Sequence, residues 1–412
     1  MKKIALSLMI LLCMGSNASY AEDPIKVGHL TYHTGAFGDF GAWFDAITDF
    51  TLEVINEDPP LGREMTSLHQ DIGTIGEASA ARKLIQKDGV EVLLNPAHEY
   101  LSYRSWMQQN LKANNSPLMP SVHGGGIKKD IGGTPEEPIF RGAPMDTAQS
   151  TAAILKAKEL GGERVVLVAT EIEGSQLQLE GANHAAKKVG LNIVDELSVA
   201  SEQPSYRAAV NRIKKANPDT MVIFSQSQDG GTIVKQLAEA GLSLTIIGTQ
   251  EWMSDVFPKT ATDAALDQHK LVWATGYSFV EGPGYDFYRP RLEASKYADM
   301  VNELTNSYNI QYYDLLIVTA LAIEKAGSTE ANKWAQAVRE VSMGPGKKVH
   351  TYKEGIQALR AGEDIDYTGL TGEFDYGPTG VVSGILGMFE WQGGELVQVS
   401  TVDGKAVLEN DL

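Results

Sequence analysis

Short apolar runs alternate with longer amphipathic segments along most of the chain, and Gly, Pro, Asn or Asp marks each change. A short apolar run is typical of a buried parallel strand, and an apolar stripe at helical spacing is typical of a helix that packs on a sheet. The pattern therefore predicts an α/β protein with parallel sheets. The predicted strands lie at 25–31, 65–70, 90–94, 118–122, 164–169, 191–197, 220–224, 244–247 and 271–277.

The alternation of strands and helices runs twice. The first round ends at 139–144, where Pro144 interrupts an extended segment, and a helix at 146–159 begins the second round. After residue 277 the chain is rich in helices and adds no third round, so we expect these helices to cover a sheet that has already formed. Segment 369–391 predicts short strands and turns. The predicted helices lie at 41–57, 76–87, 100–112, 146–159, 176–189, 206–216, 230–240, 291–308, 312–326 and 332–341.

The N-terminus has the features of a secretory signal peptide. Lys2 and Lys3 precede the apolar run 4–14, and Ser19 and Ala21 are small residues at the positions that a signal peptidase reads. The run is about half as long as the ~20 apolar residues that a transmembrane helix needs. We therefore predict a signal peptide at 1–21 and localisation in the periplasm.

Charge and cysteine content restrict the partners and the chemistry. The chain has 53 acidic and 35 basic residues and a net charge of −18, which disfavours nucleic acid and anionic membranes as partners. The only cysteine, Cys13, lies in the predicted signal peptide. The mature chain is therefore predicted to contain no disulfide and no reactive thiol.

No motif in the sequence indicates catalysis or a cofactor. The segment 123–126, His-Gly-Gly-Gly, resembles the oxyanion loop of esterases, but no Gly-x-Ser-x-Gly motif accompanies it. His29 and His33 would lie about 13 Å apart on an extended strand, too far to share a metal ion. We therefore expect no enzyme activity, no cofactor and no metal site.

Several segments, taken in their order along the chain, resemble the leucine/isoleucine/valine-binding proteins of ABC transporters. The resemblance extends over nearly the whole mature chain, and it rests on the shared order of the segments, since each is short. The segments that carry it are 25–28, 34–41, 80–85, 89–93, 140–141, 206–210, 236–242, 313–314, 325–327, 372–375 and 389–391.

This resemblance implies the type I periplasmic binding protein fold, an α/β fold in which three crossovers join two Rossmann-like lobes with parallel sheets. The crossovers are expected near Gly142, Ser278 and Gly380, with the ligand cleft between the lobes. Lobe 1 would comprise 22–142 and 279–379, and lobe 2 would comprise 143–278 and 380–412.

The resemblance also implies which residues form the ligand site, at the carboxyl ends of the strands. In this family, backbone amides and hydroxyls of two loops in lobe 1 hold the carboxylate of the ligand, and aromatic side chains close over it. In lobe 1, Ser102 and Ser121 would supply the hydroxyls, and Phe40 and Tyr313 match the aromatic residues. The same loops carry further polar or aromatic groups that a simple aliphatic ligand would not require, namely His98, Tyr100 and His123.

Lobe 2 departs from the family pattern. Gln226 and Gln250 stand where the family usually has the tyrosine and glutamate that hold an ammonium group. Glu251 or Asp229 would supply a carboxylate instead, whereas an uncharged glutamine pair would suit an amide or a hydroxyl. Both alternatives stay open. Aromatic residues that would stack on a flat ligand are Phe37, Phe40, Trp43, Tyr100, Trp252 and Tyr313.

The expected function is the capture of a small polar organic solute, an amino acid or a related molecule, by a monomer that delivers it to the permease subunits of an ABC transporter. One alternative is a sensor that presents its closed form to a receptor. The other is an exported hydrolase that uses His98, His123 or Glu251.

Overall fold

The computed structural model describes residues 23–35, 37–94, 99–114, 119–121, 131–134, 136–306, 309–382 and 384–411, without the side chains of 113, 114, 119–121, 405 and 408. The signal peptide predicted at 1–21 lies outside the described residues. Within these ranges, no helix is long and apolar enough to cross a membrane.

The first lobe is built on a parallel sheet centred on β1. This strand pairs with β2 on one side and with β3 on the other, and β4 pairs in parallel with β5 beyond them. Most side chains of β1 are fully buried, as the apolar run predicted. The strands are β1 (Ile25–Thr31), β2 (Met65–Asp71), β3 (Val92–Leu94), β4 (Met119–Ser121) and β5 (Ile139–Arg141).

Helices connect these strands in the predicted order. The helix predicted at 76–87 is divided, because a wider helical turn at Lys83–Asp88 follows its first part. Gly89 ends that turn with a positive φ of 67°, a conformation that glycine adopts without strain. The helices are α1 (Gly41–Ile55), α2 (Ile72–Ile75), α3 (Glu77–Arg82) and α4 (Tyr100–Asn114), with a 3₁₀ turn at Pro60–Gly62.

The second lobe has a larger sheet with the strand order β15-β14-β10-β9-β8-β6-β7. Its central strands are buried on both faces, because helices cover both sides of the sheet. The strands β6–β10 are Val165–Thr170, Ile193–Val199, Thr220–Phe224, Thr245–Gly248 and Leu271–Tyr277. The helices α5–α10 are Asp146–Glu159, Glu173–Val189, Arg207–Ala216, Ser227–Glu239, Val256–Ala261 and Asp263–Leu266, with a 3₁₀ turn at Gln250–Met253.

After β10 the chain returns to the first lobe and completes it, as the sequence predicted. The prediction of a helix at 291–308 is wrong, because the observed helix begins at Pro283 and ends at Glu293. The Ser295 hydroxyl donates to the Leu292 carbonyl at 2.8 Å and accepts from the Tyr297 amide at 3.0 Å, bonds that compete with helical ones. The elements α11–α15 are Pro283–Glu293, Val301–Leu304, Ile310–Ala326, Ala331–Ser342 and Tyr352–Arg360, and β11–β13 are Lys347–Val349, Ile365–Gly369 and Gly372–Glu373, with a 3₁₀ turn at Ala298–Met300.

A last passage takes the chain back to the second lobe. There β14 (Leu386–Gln392) pairs antiparallel with β10, and β15 (Glu395–Thr401) pairs antiparallel with β14. Helix α16 (Gly404–Asn410) packs on α5. The otherwise parallel sheet therefore gains an antiparallel edge.

The backbone segments that pass between the lobes are hydrogen-bonded to one another. The Arg141 amide donates to the Gly380 carbonyl at 2.7 Å, and the Val382 amide donates to the Arg141 carbonyl at 3.2 Å. The Ser278 amide donates to the Ile385 carbonyl at 2.7 Å. The exact residues at which the lobes divide, expected at Gly142, Ser278 and Gly380, stay a prediction.

The side chain of Arg141 also joins these passages. It is completely buried, and its Nη2 donates to Asp146 Oδ1 at 2.8 Å and to the Tyr277 hydroxyl at 3.3 Å. Its Nε donates to the carbonyls of Ala143 and Pro144 at 3.2 and 3.1 Å. The buried charge is stabilised because several acceptors replace the water that it has lost.

Substituting Asp146→Ala should lower the free energy of unfolding by about 3–5 kcal/mol, because it leaves a buried cation without its carboxylate partner. Urea denaturation measures this loss. The matched control is Asp364→Ala, which removes an exposed carboxylate that pairs with Lys325 and should leave stability nearly unchanged. Equal losses in the free energy of unfolding would show that the buried contact of Arg141 with Asp146 stabilises the protein no more than an exposed ion pair does.

Candidate functional site

One carboxylate of lobe 1 touches lobe 2 directly. Asp39, in the loop between β1 and α1, accepts hydrogen bonds from Ser254 Oγ at 2.7 Å and from Ser227 Oγ at 3.3 Å. Burial raises the pKa of Asp39, while the two hydroxyls act in the opposite direction. The contact lies at the carboxyl ends of β1, β8 and β9, where ligands bind in open α/β sheets.

A polar crevice of about 440 Å³ includes Asp39. It is bounded by the β1–α1 loop of lobe 1 and by the loops that follow β7 and β8 of lobe 2. Its described lining combines carboxylates and side-chain amides and contains no Lys, Arg or His. The lining residues are Gly35, Gly38, Asp39, Glu202, Gln203, Pro204, Gln226, Gln228, Asp229 and Val256.

A second crevice of about 460 Å³ is lined partly by aromatic rings and includes Ser254. Trp43 of lobe 1 is half-buried and lines this crevice, as do Trp252 and Trp391 of lobe 2. Trp252 is nearly fully buried and stacks on Phe257 with a ring-centre distance of 4.0 Å. The crevice therefore offers flat apolar surfaces next to the polar contact between the lobes.

Glu251 lies in the short turn after β9, near Arg141 and the passages between the lobes, which are the expected hinge. Its carboxylate accepts a hydrogen bond from the Thr249 hydroxyl, and its backbone carbonyl accepts one from Ser227 Oγ at 2.6 Å. Burial raises the pKa of Glu251 to about 7; nearby Asp146 acts in the same direction, whereas Arg141 opposes it. Near neutral pH this carboxyl can therefore pair with a cation or donate a proton to an acceptor.

The two glutamines predicted in lobe 2 are both buried but differ in their contacts. Gln226 lines the polar crevice, and its Oε1 accepts from Thr170 Oγ1 at 3.0 Å. Gln250 turns toward the sheet, where its Oε1 accepts from the Tyr277 amide at 2.5 Å. Only Gln226 is thus positioned at the crevice, although Gln250 Nε2 is buried without a described partner.

Asp229 is engaged within lobe 2. It accepts hydrogen bonds from the Tyr206 hydroxyl at 2.6 Å and from the Glu202 amide at 3.0 Å. These bonds shape the loop that lines the polar crevice. Burial raises the pKa of Asp229, so its carboxylate is costly to keep charged without a cationic partner.

The aromatic residues predicted in lobe 1 are packed inside that lobe. Phe40 stacks on Phe44 with a ring-centre distance of 5.8 Å, and Tyr313 packs edge-on against Tyr288. The Tyr100 hydroxyl donates to Glu137 Oε1 at 2.7 Å. The structure does not bring these three side chains together.

Four predicted residues of lobe 1 remain, and the side chain of only one of them, Ser102, is described. Ser102 is exposed in the first turn of α4. Ser121 ends β4, but its side chain is not described, and His98 and His123 lie outside the described residues. Their roles in ligand binding stay a prediction.

Sequence reasoning missed Asp39. Asp39 stands in the glycine-containing loop 34–41, and a lone carboxylate there was the available signal. Tyr312, next to the predicted Tyr313, packs against Phe44 with a ring-centre distance of 5.0 Å.

The extended strand that was assumed for the separation of His29 and His33 does not reach His33, whereas the expectation that the two share no metal ion stays a prediction. Strand β1 ends at Thr31, so the chain has turned before it reaches His33. His33 Nε2 lies 2.8 Å from Asp45 Oδ2, and His29 Nδ1 lies 3.9 Å from the other oxygen of the same carboxylate.

Residues 24–394 match the family profile described as periplasmic binding protein. The chain belongs to the periplasmic binding protein family. Leu/Ile/Val-binding protein homolog 3 of Brucella melitensis is 20% identical to it over 392 residues, which cover 93% of this chain and 95% of that protein. The predicted resemblance is therefore confirmed, and the role of the protein is solute binding.

Solved structures show the same fold. The branched-chain amino acid transporter substrate binding protein of Streptococcus pneumoniae, in complex with isoleucine, gives a TM-score of 0.72 at 15% identity and covers 92% of this chain and 99% of that chain. An ABC transporter solute-binding protein of Rhodopseudomonas palustris, in complex with 3,4-dihydroxybenzoic acid, gives 0.68 at 18% identity, covering 92% of this chain and 98% of that chain. The predicted type I fold is confirmed.

The raised pKa of Glu251 predicts a specific pH dependence of stability. Between about pH 4.5 and 7 the folded protein keeps a proton that the unfolded chain has lost, so this contribution to stability is lost as the pH rises through that interval. Relative to Glu251→Gln, the wild-type free energy of unfolding should fall by roughly 1–3 kcal/mol between pH 5 and 8.

Urea denaturation at both pH values measures this difference. Glu180→Gln, which neutralises an exposed carboxylate of α6, is the matched control and should reproduce the wild-type profile. A constant difference between the wild type and Glu251→Gln would contradict the raised pKa.

Proposed function

We propose that the protein is the extracytoplasmic solute-binding component of an ABC transporter, and that it captures an amino acid or a related solute between two closing lobes. The observation that carries the proposal is the contact of Asp39 with Ser227 and Ser254, a direct hydrogen-bonded contact between the lobes at the mouths of two crevices. Family membership supports the same role.

The charges around the crevices favour a solute with an ammonium or amide group. The described lining of both crevices contains carboxylates but no Lys, Arg or His. Glu251 adds a carboxyl beside the hinge that ionises near neutral pH. A solute that carries only negative charge would be repelled here unless it lost its charge, whereas an ammonium group would find a partner.

The aromatic surfaces add a second element to the proposed specificity. Trp43, Phe279 and Trp391 line the larger crevice, and flat rings stack on such side chains. The isoleucine and dihydroxybenzoic acid in the two related structures mark the range of solutes to compare. We expect a solute that combines a cationic or amide group with an apolar or aromatic part to bind more tightly than a simple benzoate.

The proposed closure is a shift in the equilibrium between an open and a closed form of the protein. The hinge around Arg141 stays intact, and the lobes rotate about it. A solute favours the closed form because only that form gives it contacts from both lobes. The closed form is then the one that the permease subunits recognise, and we expect the protein to act as a monomer.

The same closure would also suit a sensor that presents its closed form to a receptor.

A binding protein releases its solute unchanged, so mass spectrometry of a bound solute after prolonged incubation should recover it without chemical modification. Chemical conversion that Glu251→Gln abolishes would support the hydrolase alternative instead.

A thermal-shift screen should identify the class of solute. Amino acids, their amides, short peptides and aromatic acids are compared, because a bound solute raises the melting temperature by mass action. We expect amino acids or amides to raise it by several degrees and benzoate to have little effect. A shift with benzoate alone would contradict the proposed preference.

Asp39→Ala should weaken solute binding about tenfold or more, because hydrogen bonds to a charged group contribute roughly 1.5–3 kcal/mol and the proposed opening of the lobes would break them. Isothermal titration of the best solute from the screen measures the change in Kd. Asp299→Ala, which removes an exposed carboxylate of lobe 1, is the control and should bind as the wild type does. Unchanged affinity in Asp39→Ala would show that this contact does not contribute to closure.

A further inference from the structure

A cluster of histidines and aspartates lies in lobe 1, away from the residues of the proposed solute site. His29 and His69 are direct partners in the parallel pairing of β1 with β2, so their side chains project from the same face of the sheet. Helix α1 covers this face and presents Asp45 and Asp49, which are one helical turn apart. The His33 imidazole reaches the same place from the loop after β1.

Three donor atoms of this cluster form a small triangle. His29 Nδ1 and His69 Nδ1 are 3.2 Å apart, and His69 Nδ1 is 3.0 Å from Asp45 Oδ1. The third side, from His29 Nδ1 to Asp45 Oδ1, is 3.9 Å. A tetrahedral ion with bonds of about 2.0–2.1 Å separates its ligands by about 3.3–3.4 Å, so the triangle has nearly the size of one face of such a site.

The residues around the triangle have the arrangement that supports metal ligands. His69 Nε2 lies 2.9 Å from Asp49 Oδ1, and Ser67 Oγ donates to the same oxygen at 2.6 Å. Asp45 Oδ2 lies 2.8 Å from His33 Nε2. A histidine ligand usually donates its second ring N–H to a carboxylate, which directs the lone pair of the other nitrogen toward the ion. Asp49 is placed to accept that bond from His69.

The charge state of His29 also suits a ligand. It is completely buried, and burial favours the neutral imidazole that a metal ion requires. The competing arrangement is a metal-free ion cluster. Although burial disfavours the charge on His69, hydrogen bonds to Asp45 and Asp49 raise its pKa to about 9, and a proton would then occupy the place of the ion.

We propose that His29, Asp45 and His69 bind Zn²⁺ or a similar first-row transition metal ion, with a fourth position for water. Two imidazole ligands favour such an ion over Mg²⁺ and Ca²⁺, which prefer oxygen ligands. The ion would fix the start of the β1–α1 loop, because His33 is held by the same Asp45 carboxylate. This loop also carries Asp39. The metal site itself does not depend on the identity of the solute.

Isothermal titration of the mature chain, with any affinity tag removed and metal stripped by a chelator, tests the site with ZnCl₂. We expect one Zn²⁺ per chain. Replacing Zn²⁺ by Co²⁺ should give the strong visible absorption of a four-coordinate ion. MgCl₂ and CaCl₂ should give no binding at the same concentrations.

Variants separate this site from adventitious binding. His69→Gln should lose Zn²⁺ binding, and Asp49→Asn should weaken it roughly 10- to 100-fold, as is usual when a partner of a histidine ligand is removed. His184→Gln removes a half-buried histidine of lobe 2 and should bind Zn²⁺ as the wild type does. Circular dichroism checks that each variant is folded.

Absence of Zn²⁺ binding by the wild type would overturn the proposal and leave the metal-free ion cluster. Equal binding by the wild type and His69→Gln would also overturn it, because the ion would then bind elsewhere. If His69→Gln does not fold, Asp45→Asn replaces it as the variant that should lose Zn²⁺ binding. The Co²⁺ spectrum of the wild type is a further test, since a spectrum of six-coordinate Co²⁺, or no spectrum of bound Co²⁺, would contradict the proposed ligands.

Discussion

The guanidinium of Arg141 is buried where the chain passes between the lobes, and its acceptors come from both the start of lobe 2 and the end of β10. A buried cation is stable only where such acceptors replace water. The same residue bonds through its backbone to Gly380 and Val382. The side chain therefore keeps these partners only if the passages stay together, and this requirement supports the proposal that the passages act as the hinge.

Away from the hinge, a much weaker contact joins the lobes. Asp39 accepts hydrogen bonds from two serine hydroxyls, which contribute roughly 1.5–3 kcal/mol each at most, less than the roughly 3–5 kcal/mol lost when a buried ion pair is broken. In the proposed function, a strong hinge and a weak contact between the lobes would allow opening at a low free-energy cost. Binding of a solute in the adjacent crevices would then favour the closed form.

The sequence predicted β8 and β10 to the residue, because each is a short apolar run bounded by polar residues. It could not predict how α13 is rotated, and so where the Tyr313 side chain lies, since α13 is buried almost all round and shows no polar face. The histidine cluster was missed for another reason. His29 and His69 are 40 residues apart, and only the register of β1 with β2 brings them together.

The central claim is that the lobes close on a solute about an intact hinge. Spin labels at Ile75→Cys in lobe 1 and Ser205→Cys in lobe 2, both exposed positions, measure the distance between the lobes by pulsed electron paramagnetic resonance. No other cysteine would be labelled in the mature chain, because the only native cysteine, Cys13, lies in the predicted signal peptide. Saturation with the solute found by thermal screening should shorten and narrow the distance distribution. An unchanged distribution, with binding verified by calorimetry, would contradict the account.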